Sequence, residues 1–239
     1  MPVHRCDVRF TDFRLISPKS RAFCRLLVGF AAICVLYVGG LRAHIPPMSI
    51  LKIARMGHPI LRNVADPVAD PTAPEVLTLV QDMIETMDDA NGAGLAAPQV
   101  HVPLRVVIFQ APAGRSAGAE IDAEETYDPT APLTVLINPE IELIGDEVEL
   151  GWEGCLSVPG LRGLVPRHRR IIYRGVDLDG ELIERRAQGF HARVVQHECD
   201  HLDGVLYPQR MPDMRALIFE SEVKHWLQAE TEKANGHGG

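Results

Sequence analysis

His197-Glu198-Cys199-Asp200-His201 sets two imidazoles four residues apart with a carboxylate between them. On a helix the two rings stack one turn apart on one face, and Phe190 and Val194 continue that face toward the N-terminus. Gly204 stands where such a helix commonly ends. Two imidazoles and a carboxylate on a face otherwise apolar are costly to bury unless an ion satisfies them. The expected fold therefore encloses this helix around a metal ion and brings a third ligand to it, leaving one position for water; the alternative is a pair of satisfied core histidines. Glu198, beside the histidine pair, is the candidate proton carrier.

Spacing alone leaves the third ligand open. A glycine and then a third histidine would mark one protease class, but Gly204 is followed by Tyr207 at the histidine position. A glutamate from a later helix would mark a thermolysin-like peptidase, with Glu220 or Glu222 as candidates. Cys155, in Glu153-Gly154-Cys155-Leu156-Ser157, offers a thiolate between a strand and the turn residues Pro159 and Gly160. Cys199 is a weaker candidate, because two residues from His197 it faces another side of the helix.

A net charge of −8 over 239 residues, with no clustered basic face, argues against a nucleic-acid partner. The five cysteines (Cys6, Cys24, Cys34, Cys155, Cys199) are odd in number and irregular in spacing, which argues for a reducing compartment rather than a disulfide framework. Residues 1–47 differ from the rest: Arg5, Arg9, Arg14, Lys19, Arg21, Arg25 and Arg42 face only Asp7 and Asp12. They include the apolar run LLVGFAAICVLYVGGL over 26–41, which is short for a membrane span. A signal anchor, a removed targeting peptide and an extension that is rarely translated all fit, and the last is preferred because Met48 opens a fresh segment, MSILKIARMGHPILR. The expected division is an extension at 1–47 and a catalytic domain at 48–239, with membrane contact only if the extension is real.

Val76, Leu79, Val80, Met83 and Met87 recur at helical spacing over 75–90, and Asn91-Gly92 ends the pattern. Short β-type runs follow at 105–110, 133–137, 141–150 and 170–178, with a polar surface loop at 113–132. The metal helix spans 190–202, and a last helix runs over about 213–230, with Phe219, Val223 and Trp226 packing inward. The expected fold class is α+β: mostly antiparallel sheet packed around a central metal-binding helix, with a further helix on its N-terminal side and a C-terminal helix.

Three segments read together carry more. Gly92-Ala93-Gly94-Leu95-Ala96-Ala97-Pro98-Gln99, Glu153-Gly154-Cys155-Leu156-Ser157 and Gln196-His197-Glu198-Cys199-Asp200-His201, in that order, resemble the signatures of peptide deformylases. Gly57-His58-Pro59-Ile60-Leu61 is similar to that family's opening, and the resemblance runs from about Met48 to the final helix. The chain departs mildly from the pattern: Ala93 replaces a larger aliphatic residue, which bears on pocket shape, and Cys199 a methionine, which bears on oxidation.

The resemblance implies hydrolysis of the N-formyl group from the initiator methionine of new polypeptides, with release of formate. Cys155, His197 and His201 would be the metal ligands and Glu198 the general base and acid, while Gln99 and the Leu156 N–H would stabilise the charge growing on the formyl oxygen. Gly94, Leu95, Gly154, Arg162, Phe190 and Val194 would bind substrate; Arg167 would hold the peptide backbone, brace Glu153 or lie on a solvated face. Ferrous iron is the cofactor the family characteristically uses, and zinc, nickel or cobalt suit the same ligands. The implied partners are N-formylmethionyl nascent peptides near the ribosome, in the cytoplasm. A thermolysin-like peptidase and a catalytically silent metal-binding homologue are the competing readings; intact Gln99, Cys155, Leu156 and Glu198 speak against the second.

Overall fold

The computed structural model describes residues 49–115 and 127–236, with side chains described to residue 233. The expectations about residues 1–47 and Met48, and the middle of the expected 113–132 loop, lie outside the described residues. Among the described residues no helix is long and apolar enough to cross a membrane.

Helix α1 spans Pro74–Asp89, with Pro74 in its first turn where a missing N–H costs nothing. It buries Val76, Val80, Met83 and Met87, and Asn91 at φ +52 turns the chain out of it, as the spacing predicts. The strands are β1 (Gly94–Ala96), β2 (Val106–Ala111), β3 (Ala131–Cys155), β4 (Val158–Val176), β5 (Leu182–Gln188) and β6 (Ile218–Phe219). β1 to β5 lie side by side in that order, every pairing is antiparallel, and β6 adds to β4.

β2 explains how the layers form. Val107, Phe109 and Ala111 pack with the central helix α2 (Gly189–Leu202), whereas Val106 and Ile108 pack with Val80, Met83 and Met87 of α1. Alternate side chains leave opposite faces of a strand, so a strand covered on both faces reads as one continuous apolar run. The α+β class with α2 at the centre is as expected.

Several boundaries differ. The runs at 133–137 and 141–150 are one strand, β3, which passes Asn138-Pro139 by a bulge between Ile137 and Glu140. Asn138 takes φ +51, and its amide clamps Val68 by accepting from the N–H at 2.8 Å and donating to the C=O at 2.9 Å. β4 begins at Val158, not at 170, and carries Pro159 and Gly160 within it; the turn is instead Leu156-Ser157, between paired Cys155 and Val158. β1, within the stretch read as a glycine-rich turn, and β5 are strands the periodicity does not reveal. The last helix, α3, spans Val223–Gly236 rather than 213–230: a 3-10 turn at Met214–Ala216, then β6, occupy the preceding stretch. Phe219 is therefore on a strand and exposed, whereas Val223 is half-buried and Trp226 keeps the expected packing, edge-on to Trp152 at 5.1 Å between ring centroids.

Candidate active site

α2 starts directly from β5 through Gly189, whose φ of +57 allows the sharp entry, and its residues from His191 to Leu202 are buried. Gly204 at φ +73 follows its C-terminus, as the sequence pattern implies. His197 and His201 stand edge to face with centroids 5.0 Å apart. The tight β3–β4 turn delivers Cys155 to them, with Sγ 3.3 Å from His201 Nε2. One ligand atom from each of Cys155, His197 and His201 lies within 4.8 Å of the others.

These donors fit a tetrahedral ion, whose thiolate and imidazole ligand atoms lie about 3.5 Å apart. Burial alone would raise the Cys155 thiol, but His201 and His197 outweigh it and hold the thiol well below its ordinary range. The sulfur also accepts from Gln99 Nε2 and the Ser157 N–H, both at 3.4 Å.

His197 is oriented from behind. Its Nδ1 lies 2.8 Å from Glu153 Oε2, so Nδ1–H donates to the carboxylate and Nε2 is left for an ion. Burial would raise Glu153, yet His197 and Arg167 hold it far below the usual carboxylate range. Arg167 grips both Glu153 oxygens at 2.9 and 3.0 Å and reaches Asp200 at 2.6 Å, while Arg210 holds the other side of Asp200. Arg193 adds a bond to Glu153 and three to the carbonyls of Val165, Glu149 and Gly151. Arg167 is 5% exposed, which overturns its solvated-face reading and bears out its bracing of Glu153. Asp200 and Arg193 were missed; their signal is ionisable residues on a helix with no solvent face.

Glu198 is 3% exposed, and burial pushes its carboxyl up to about 7. Its Oε2 is buried without a hydrogen-bond partner. Gly94 faces it so closely that an added Cβ would collide with the carboxylate. Gln99 accepts from the Ala96 N–H at 2.8 Å and donates to Ser157 Oγ at 3.0 Å, which aims its amide nitrogen at Cys155.

A cleft of about 380 Å³ opens over these groups. Gly94, Gln99, Gly154, Leu156, Arg162, Phe190 and Val194 line it with the catalytic candidates, and Trp152, Arg193 and Glu220 join them without having been singled out as cleft residues. Leu95 does not line it: that side chain is fully buried in the cluster holding Met83 and Met87, because alternation along β1 turns it to the face opposite Gly94. Glu220 is paired with Arg162 and Glu222 is exposed, accepting from Ser221, so neither joins the ligand group that the thermolysin-like reading requires. Cys199 is buried in the core with its thiol raised by burial, in keeping with its weak candidacy.

The polypeptide deformylase family model matches residues 50–216. Peptide deformylase 2 of Ralstonia nicotianae is 54% identical over 172 residues, covering 71% of this chain and 92% of the relative. Peptide deformylase 1 of Bordetella pertussis is 56% identical over 165 residues, with coverage of 69% and 89%. Among solved structures, the Met-Ala-Ser-bound class I type b peptide deformylase from Acinetobacter baumannii matches with TM-score 0.61 and 39% identity, covering 69% of this chain and 99% of that one. The peptide deformylase from Ehrlichia chaffeensis matches with TM-score 0.65 and 31% identity, covering 76% and 97%.

Proposed function

The chain belongs to the polypeptide deformylase family, and from that premise we propose how its own residues divide the work of removing the N-formyl group from the initiator methionine of new polypeptides. The reaction is a metal-dependent amide hydrolysis that releases formate. Cys155, His197 and His201 hold one divalent ion; ferrous iron is the cellular metal, and zinc, nickel or cobalt can replace it in purified protein. Bound there, the ion would supply Lewis acidity and lower the pKa of water.

Glu198 takes a proton from the attacking water and returns one to the departing amine. Burial raises the Glu198 carboxyl above the ordinary carboxylate range, the direction that lets it both accept and return a proton near neutral pH. Gln99 Nε2, turning to the formyl oxygen the N–H that otherwise points at the Cys155 sulfur, and the Leu156 N–H donate to that oxygen as charge grows on it. Phe190 and Val194 form the apolar wall for the methionine side chain, Gly94 and Gly154 of the cleft lining meet the peptide through their backbone, and Arg162 binds the peptide beyond methionine. The substrates are nascent chains near the ribosome in the cytoplasm, and the net charge of −8 gives no support to direct RNA contact. The catalytic unit is residues 48–239, supported by the family match at 50–216.

The observation that carries this reading is the buried Glu198 carboxylate beside the Cys155, His197 and His201 group, with Gly94 leaving it room. Iron-loaded protein started at Met48 is expected to release formate from formyl-Met-Ala-Ser, with mass spectrometry showing Met-Ala-Ser as the product. Cleavage at an internal peptide bond, without formate, would overturn it.

A further inference from the structure

The C-terminal segment forms part of the cleft wall by three contacts. Backbone pairing sets Leu161 against Phe219 and Arg162 against Ile218. Trp226 of α3 packs edge-on to Trp152, itself a lining residue. Glu220, in the 3-10 turn between β6 and α3, lines the cleft and takes the Nε and Nη2 edge of the Arg162 guanidinium, with Nε 3.1 Å from Oε1. The remaining corner, Nη1, lies over Gly154, where an added Cβ would come within 2.8 Å of it. An arginine 36% exposed would otherwise sample many rotamers. Glu220 occupies two of its donor positions and leaves the third directed over the strand that ends in Cys155.

We propose that Glu220 is a positioning residue for substrate: it fixes Arg162 so that Nη1 faces the peptide carbonyls that follow methionine. The inference rests on the reading of Arg162 as a peptide-binding group given above. Glu220 is itself 59% exposed, so its effect belongs to substrate affinity and not to the stability of the fold.

The test is steady-state kinetics of the iron-loaded enzyme on formyl-Met-Ala-Ser amide, which carries no side-chain or C-terminal charge to confound the pair. Glu220→Ala is expected to raise KM about threefold to fivefold, the range for ordering by a half-exposed ion pair, with kcat within about twofold of wild type. Glu220→Asp should recover most of the loss, and in an Arg162→Ala background Glu220→Ala should have no further effect. An unchanged KM in an active enzyme, or an equal rise in the Arg162→Ala background, would overturn this inference alone. Wild-type protein that released no formate would overturn both it and the function on which it rests.

Discussion

His197 Nδ1 donates to Glu153 Oε2 at 2.8 Å, so the residue two before the cysteine orients the first histidine of the metal helix. The bond fixes the tautomer that leaves Nε2 for the ion. Glu153→Gln keeps the shape but loses the charge, and is expected to weaken metal binding about 10-fold to 100-fold in a chelator competition. Wild-type affinity in that variant would remove Glu153 from the site.

Arg167 bridges two buried carboxylates, Glu153 and Asp200. Arg167→Met leaves Glu153 without its bidentate partner and Asp200 with only Arg210. Glu153 keeps Arg193 and His197, so the expected cost is that of lost charge-assisted bonds in a buried network, about 1.5–3 kcal/mol in urea unfolding of the metal-loaded protein. A cost under about 1 kcal/mol would mean that the network rearranges around the loss.

Gly94→Ala places a methyl group against the Glu198 carboxylate. The strand continues with the fully buried Leu95, so the fold should persist while the proton carrier moves. The expected result is a fall in kcat of about 100-fold with one metal still bound, since misplacing a catalytic group by an ångström has that scale of effect. Undiminished kcat would show that Glu198 has slack.

His191 is fully buried, with Nδ1 2.9 Å from the Asp128 carbonyl and Nε2 3.1 Å from Tyr173 Oη. The carbonyl can only accept, so Nδ1 carries the proton and Nε2 accepts from the tyrosine; the ring is neutral. Burial holds its pKa below the ordinary 6.5. Above that value both folded and unfolded states are neutral and the contribution to stability is complete. As pH falls through it, the unfolded chain takes up a proton first, so stability is lost toward acid. The urea midpoint of wild type should fall more steeply between pH 7.5 and 5.5 than that of His191→Gln; parallel slopes would exclude His191 as the cause.

The metal helix is legible from its residues because His197, His201, Phe190 and Val194 share one period, and α1 is legible for the same reason. The pairing of Cys155 with His201 is not, since 46 residues separate them and a tight hairpin closes the distance; only the resemblance joined the segments. Asn138-Pro139 disguises β3 as two strands, because a bulge lets a strand pass residues that usually stop one. β5 hides behind Glu184-Arg185-Arg186, whose exposure leaves no alternation to read. Glu220 reads from spacing as a metal ligand candidate, and only the pairing of β6 with β4 assigns it to Arg162.

The proposed division of labour has Glu198 move the protons at a metal held by other residues. It is tested most directly by Glu198→Ala, loaded with ferrous iron and assayed for bound metal and formate release on one preparation. One equivalent of metal is expected, with kcat/KM reduced by at least about 100-fold. Metal bound and formate released at the wild-type rate would contradict it.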